Sequence, residues 1–159
     1  MRENGPRQGE PCQCNNVWLG MISIRLANNS DAPKLQELFR QFIVEADWLP
    51  ESSKQATDFA AVSQGEQVFV AETRSGEIAG LISVWEPESF VHTLYVVPNH
   101  QRKGVGSMLL DSLEDWLPRP WRLKCVAANR QAVSFYQGRG WKLIETSTSQ
   151  DGPYFLLEK

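Results

Sequence analysis

The 159-residue sequence predicts a single α/β domain, a mixed sheet with helices packed on it, in the order β-α-α-β-β-β-α-β-α-β-β. Three observations predict it. Short apolar runs that alternate or stay continuous over four to eight residues mark strands, and apolar stripes at helical spacing lie between them. Turn signals at Ser75-Gly76 and Asp151-Gly152 call for hairpins, hence antiparallel neighbours. Strand-loop-helix-strand units after residue 90 call for a crossover, which places parallel strands in the same sheet.

Each element has its own signal. Residues 1–20 are rich in Gly, Pro, Asn and Gln without periodicity, so they are expected to be a disordered extension ahead of a domain at 21–159. Ile22 to Leu26 alternates apolar and polar residues, as a half-buried strand does. Ser30 or Asp31 is the expected helix cap, with Pro33 in the first turn. Leu35, Leu38, Phe39, Phe42 and Ala46 then follow at helical spacing. Pro50 ends that helix, and Ser52 or Ser53 could cap a second one reaching about Ser63. Strands follow at 67–72, 78–85 and 90–97, the last stopped by Pro98. A helix begins near Gly104, with Val105, Met108, Leu109, Leu113 and Trp116 on one stripe, and Pro118 and Pro120 end it. A strand at 121–127, a helix at 129–138, and closing strands at 141–146 and 154–157 complete the chain.

Composition narrows the function classes. Net charge is −3, which argues against non-specific nucleic-acid binding. No apolar run is long enough for a transmembrane helix, and residues 1–20 lack the apolar centre of a secretory signal. Cys12, Cys14 and Cys125 form no disulfide framework and, with His92 and His100, no metal-ligand spacing, so no metal is expected and the cytoplasm is the expected compartment. The charge is divided unevenly. Residues 98–142 hold eight Lys/Arg against three Asp/Glu, whereas residues 43–90 hold nine Asp/Glu against Lys54 and Arg74. One part of the chain suits an anion and another a cation.

The anion side has a motif. Leu94-Tyr-Val-Val-Pro-Asn-His-Gln-Arg-Lys-Gly-Val-Gly-Ser107 runs from a strand through a loop into a helix. A helix start offers unpaired N–H groups and partial positive charge. Gly104 and Gly106 let an anion approach that backbone, and Arg102 and Lys103 add charge beside it. A Walker loop would need Gly-x-x-x-x-Gly-Lys-Ser/Thr, which is absent, and a dinucleotide fingerprint would need glycine where Leu109 stands. Gly-x-Gly alone also suits a tight strand-helix turn.

Gln101-Arg-Lys-Gly-Val-Gly resembles the acyl-CoA signature Gln/Arg-x-x-Gly-x-Gly/Ala of the GNAT superfamily, the GCN5-related N-acetyltransferases. Leu94-Tyr-Val-Val-Pro is similar to that family's fourth strand, and Asn129-x-x-Ala132-x-x-Phe135-Tyr136-x-x-x-Gly140-Trp141 to its second motif, with Trp141 where Phe is usual. The resemblance implies a GNAT-like acyl-CoA N-acyltransferase fold with splayed fourth and fifth strands. It implies acetyl-CoA as co-substrate. Leu94, Tyr95 and Val96 would offer backbone groups to its pantetheine arm. Gln101, Arg102, Lys103, Gly104, Val105, Gly106 and Ser107 would hold the pyrophosphate, and Asn129 would reach the arm from the next strand.

Acyl transfer to an amine needs the amine neutral and the departing thiolate protonated. The resemblance places Tyr136 close to the sulfur, as the acid. His92 is the candidate base: it lies two residues before Leu94, so it should share that residue's face, and imidazole accepts a proton near neutrality. Arylalkylamine acetyltransferases of the superfamily look similar in having histidine here; Glu86 is an alternative through water. The acceptor is expected between the first helices and the last hairpin. Glu45 and Trp48, with Trp85 and Glu86 from the third strand, would suit a small cationic amine. Alternatives are a non-catalytic acyl-CoA sensor or interaction module, or acetylation of a protein amine. Homodimerisation through the closing strands is left open.

Overall fold

The computed structural model describes residues 21–55 and 58–159. The expected N-terminal extension, with Cys12 and Cys14, lies outside the described residues. Seven strands form one sheet in the order β1-β2-β3-β4-β5-β7-β6. They are β1 (Ile22–Leu26), β2 (Gln67–Thr73), β3 (Ile78–Trp85), β4 (Phe90–Val96), β5 (Arg122–Val126), β6 (Lys142–Ser149) and β7 (Gly152–Glu158). The helices are α1 (Ala32–Glu45), α2 (Phe59–Val62), α3 (Val105–Asp111) and α4 (Arg130–Gly138). Every strand pair is antiparallel except β4–β5. None of the described helices is long and apolar enough to cross a membrane.

The sheet is covered on both faces. Leu35, Leu38, Phe39 and Ile43 of α1 pack with Phe59, Val70, Leu81 and Tyr95 on one face. Val105, Leu109 and Leu113 pack with Ile82, Val84, Val91, Tyr136, Trp141 and Leu157 on the other. β3 lies between the two layers and is buried from Ile78 to Val84, which is why its sequence is nearly continuous in apolar residues rather than alternating.

The expected element order holds, with corrections at the caps. Ser52 and Ser53 do not start a helix: Glu51–Gln55 is a 3-10 turn, and Asp58 caps the four-residue α2 through Ala61 N–H. Asp31, one of the two expected caps, holds the N-cap position of α1 but makes no side-chain cap bond there; the side-chain cap belongs to the 3-10 turn Asn29–Asp31 just before it, where Asn28 accepts from Ser30 N–H at 2.9 Å and Asp31 accepts from Asn28 N–H at 2.8 Å. Asp31 also takes both arms of Arg25, at 2.8 and 2.9 Å, and that guanidinium holds its carboxyl below the usual carboxylate range. The helix expected to run from Gly104 to Pro118 tightens into a 3-10 turn at Ser112–Asp115.

Two features of β4 open the sheet. Its register on β3 slips between Ser83↔Thr93 and Val84↔Val91, so His92 is an extra, bulged residue. The bulge reverses the alternation. Val91 packs on the α3/α4 side while Tyr95, four residues on, packs on the α1 side. β4 pairs with β5 only at Phe90↔Arg122 and Val91↔Leu123, and beyond that point the two parallel strands part. Gly80 of β3 sits under the far part of β4. A Cβ there would lie 2.7 Å from Tyr95 O and 3.3 Å from Leu109 Cδ1, so only glycine lets the strand approach this closely.

Candidate functional site

The gap beyond Val91 forms one wall of an open cleft of about 460 Å³. Four parts of the chain meet there: the end of α1, the second half of β4, the loop into α3, and the start of α4. Ten of the residues expected to hold the acyl-CoA line it together: Leu94, Tyr95, Val96, Gln101, Arg102, Gly104, Val105, Gly106, Ser107 and Asn129. Lys103 does not line it.

The loop is shaped by backbone geometry. Gly104 has φ +84° and immediately precedes α3; Arg102 has φ +60°, uncommon for a non-glycine residue and costing about 1 kcal/mol. The turn closes with Met108 N–H on Gly104 O at 3.0 Å, so the amides of Val105, Gly106 and Ser107 come before the first intrahelical bond. Gln101 is exposed but its side chain is engaged. Its Nε2 donates to Val96 O at 2.9 Å and ties the loop to the end of β4. Asn129 caps α4, its Oδ1 accepting from Ala132 N–H at 3.2 Å. The arrangement suits a long anionic thioester: an unpaired strand edge for the amide-bearing arm and a helix start with Arg102 beside it for phosphates.

Tyr136 also lines the cleft. Its ring is set between Phe135 (centroids 5.3 Å apart) and Trp141 (5.6 Å), and the residue is 8% exposed. Burial, then the neighbouring Cys125, raises its pKa above the usual phenol value, so it stays protonated at neutral pH. Burial also pushes the Cys125 thiol up, to about 11.

Glu45 and Trp48 also line the cleft. Tyr95 O–H donates to Glu45 Oε2 at 3.0 Å, and Gln41 Nε2 donates to its other oxygen at 3.0 Å. Burial first, then this hydrogen bond, holds the Tyr95 hydroxyl above its ordinary range. Phe42 stands between Trp48 (6.0 Å) and Tyr95 (5.5 Å), completing an aromatic wall. Phe42, Ala46, Gln131, Ala132 and Phe135 line the cleft without having been expected to. Phe42 belonged to the stripe assigned to the core.

Three expected residues lie elsewhere. Trp85 packs on the turn before β2, where a Cβ on Gly65 would meet its ring at 3.1 Å. Glu86 opens an exposed 3-10 turn. His92 does not share the face of Leu94. The bulge turns it to the α1 side, where Nδ1 contacts Glu66 Oε1 and the ring meets the Phe90 ring edge-on at 4.9 Å. Burial, then the Lys124 charge, holds its pKa below the usual histidine value. Of the nine carboxylates in residues 43–90, Glu45 alone lines the cleft; Glu51, Glu66 and Glu72 are paired with Lys54, His92 and Arg25.

A profile of the Acetyltransferase (GNAT) family matches residues 32–141. Solved structures share the fold at low identity. A GCN5-related N-acetyltransferase from Rhodopseudomonas palustris is 22% identical, with 87% of this chain and 95% of that one covered and a TM-score of 0.73. The yncA structure from Salmonella typhimurium, with its cofactor acetyl-CoA, is 18% identical over 87% and 93% of the chains, with a TM-score of 0.68. The spermidine/spermine N-acetyltransferase SpeG from Vibrio cholerae, in complex with manganese ions, is 14% identical over 89% and 94%, with a TM-score of 0.62.

Proposed function

Because the chain belongs to the acetyltransferase (GNAT) family, we propose that it moves the acetyl group of acetyl-CoA onto the primary amine of a small cationic molecule, by direct attack in a ternary complex. One observation carries the reading. A single cleft is lined by the glycine loop, the open β4 edge, and an aromatic wall that carries the Glu45 carboxylate. Leu94, Tyr95 and Val96 pair with the pantetheine arm, and the Arg102–Ser107 turn takes the pyrophosphate. The acceptor's ammonium is drawn to Glu45 and the faces of Phe42 and Trp48. The fold is shared with a spermidine/spermine N-acetyltransferase, whose acceptors are amines.

The neutral amine attacks the thioester carbon, the tetrahedral intermediate collapses, and the C–S bond breaks. The amine gives up a proton and the thiolate takes one. Tyr136 donates to the departing sulfur. His92 receives the amine proton through water. It is not among the residues lining the cleft and stands three residues before Tyr95 on β4, so water must carry the proton to it; in the tautomer that donates Nδ1–H to Glu66, Nε2 is the accepting nitrogen. Because burial and Lys124 lower its pKa, the ring is neutral and able to accept at pH 7. Protonation of His92 therefore adds an acidic limb to the profile, placed below the usual histidine range, on top of the slope that the acceptor amine's own titration imposes. A pH–rate profile checks this: an acidic limb unchanged in His92→Ala removes His92 from the mechanism.

The function itself is tested by offering acetyl-CoA with polyamines, arylalkylamines, amino acids and peptides, and reading free-thiol release. Release with small cationic amines is the expected result. Release with peptides alone moves the acceptor to a protein amine. Coenzyme A binding without release across the panel makes the chain a sensor of acyl-CoA.

A further inference from the structure

Beneath the loop lies a contact that no loop motif requires. Arg139 follows α4 and reaches back to α3. One guanidinium N–H donates to Ser107 Oγ at 2.6 Å and another to Asp111 Oδ1 at 2.8 Å. The guanidinium carbon lies 5.7 Å from the Phe135 ring centroid. That ring lies against Gly106, where a Cβ would stand 3.4 Å from Phe135 Cζ. Arg139 is thus braced by stacking and by Asp111, and its own Nε is buried without a partner.

The chemistry of a hydroxyl gives this contact a direction. Serine has one hydrogen and two acceptor positions. An arginine carries only donors, so Arg139 must occupy an acceptor position of Ser107 Oγ. The Ser107 hydrogen is then left to donate, and Ser107 lines the cleft. A hydroxyl polarised from behind by a cation donates best to an anion. Ser107 N–H belongs to the same open first turn, so backbone and side chain there both present donors.

We propose that Arg139 is a positioning residue for the phosphates of coenzyme A, fixing the Ser107 hydroxyl as a donor toward them and placing a guanidinium charge one hydroxyl behind. This inference rests on the acyl-CoA reading of the cleft. The contact joins residues 32 positions apart and involves side chains only, so it is separable from the backbone cradle.

Two ligands and four variants test it. Coenzyme A is titrated by calorimetry, and pantetheine, which lacks every phosphate, by NMR. Arg139→Gln is expected to raise the Kd of coenzyme A about tenfold, the scale of one charge-assisted hydrogen bond, and that of pantetheine less than twofold. Ser107→Ala is expected to cost coenzyme A a similar factor, and the double variant no more than the larger single loss. Arg139→Lys keeps the charge but loses the fork that holds Ser107 and Asp111 together. It carries the test if the Gln variant does not fold, with the same selective loss expected. Equal losses for both ligands would reduce Arg139 to a brace for α4 and overturn the proposal, as would additive losses in the double variant or unchanged coenzyme A binding. If the unaltered chain does not bind coenzyme A, the acyl-CoA reading itself falls; if it binds and Arg139→Gln binds equally well, only Arg139's role falls.

Discussion

Replacing Tyr136 with phenylalanine should lower turnover about 100-fold and leave coenzyme A affinity within about twofold. The substitution removes one oxygen and keeps the ring, so the packing on Phe135 and Trp141 survives and the fold is not at stake. The oxygen's value lies in the transition state. A thiol ordinarily titrates near pKa 8.5 and a phenol near 10, so full proton transfer from phenol to free thiolate is uphill in water. Burial raises Tyr136 further. The departing sulfur would leave in the same surroundings, and there Cys125, a thiol beside Tyr136, is pushed up to about 11. Burial therefore lifts donor and acceptor together. What Tyr136 supplies is a hydrogen bond that strengthens as negative charge grows on sulfur, and losing such a donor costs on the order of 100-fold in rate, about 2.7 kcal/mol. Single-turnover rates and coenzyme A titrations on the two proteins measure both quantities. Equal single-turnover rates would take the phenol out of the chemistry.

The part of the site that was legible in the sequence is the part made of backbone. Leu94 to Ser107 needs a strand edge, a helix start and small residues where an anion comes close, and those demands are met by consecutive residues. The rest depends on pairing between distant segments. His92 was expected on the face of Leu94 because alternation was assumed to continue; a single bulged residue, set by the register between β3 and β4, turns it to the other face. Phe42 and Phe135 were legible as apolar positions on helices, but periodicity says only that a face is covered. In the fold each is half-buried, with part of its ring on the cleft. Trp85 was an aromatic expected at the acceptor site and instead packs on Gly65, because the turn before β2 folds over the end of β3. Charge counting gave direction without address. Only Glu45 of the acidic stretch reaches the cleft, since a carboxylate count contains nothing about where the strands carry each one.

That single carboxylate is where the acceptor's selectivity should be lost. Glu45→Gln should raise the KM for a cationic amine at least tenfold, with a smaller change in kcat and no change in coenzyme A affinity. Glu45 ends α1, and its two oxygens already accept from Tyr95 O–H and Gln41 Nε2, so its direction is fixed before a ligand arrives. A carboxylate has about four acceptor positions, which leaves room for an ammonium beside those two bonds. Glutamine keeps the shape and one acceptor oxygen, and loses the charge. The charge matters only to a charged partner, so an arylamine, uncharged at pH 7, is the control: its KM should stay within about twofold. Tyr95 sharpens the comparison. Its hydroxyl is held above the usual phenol range, first by burial and then by Glu45, so it remains a neutral donor throughout the assay range and adds no titration of its own. Tyr95→Phe removes one of the bonds that aim Glu45 but leaves the charge, so its effect on the cationic acceptor should be smaller than that of Glu45→Gln. If both variants impair the arylamine as much as the cation, Glu45 is holding the end of α1 against β4 rather than meeting the substrate, and the aromatic wall of Phe42 and Trp48 would then select by shape alone.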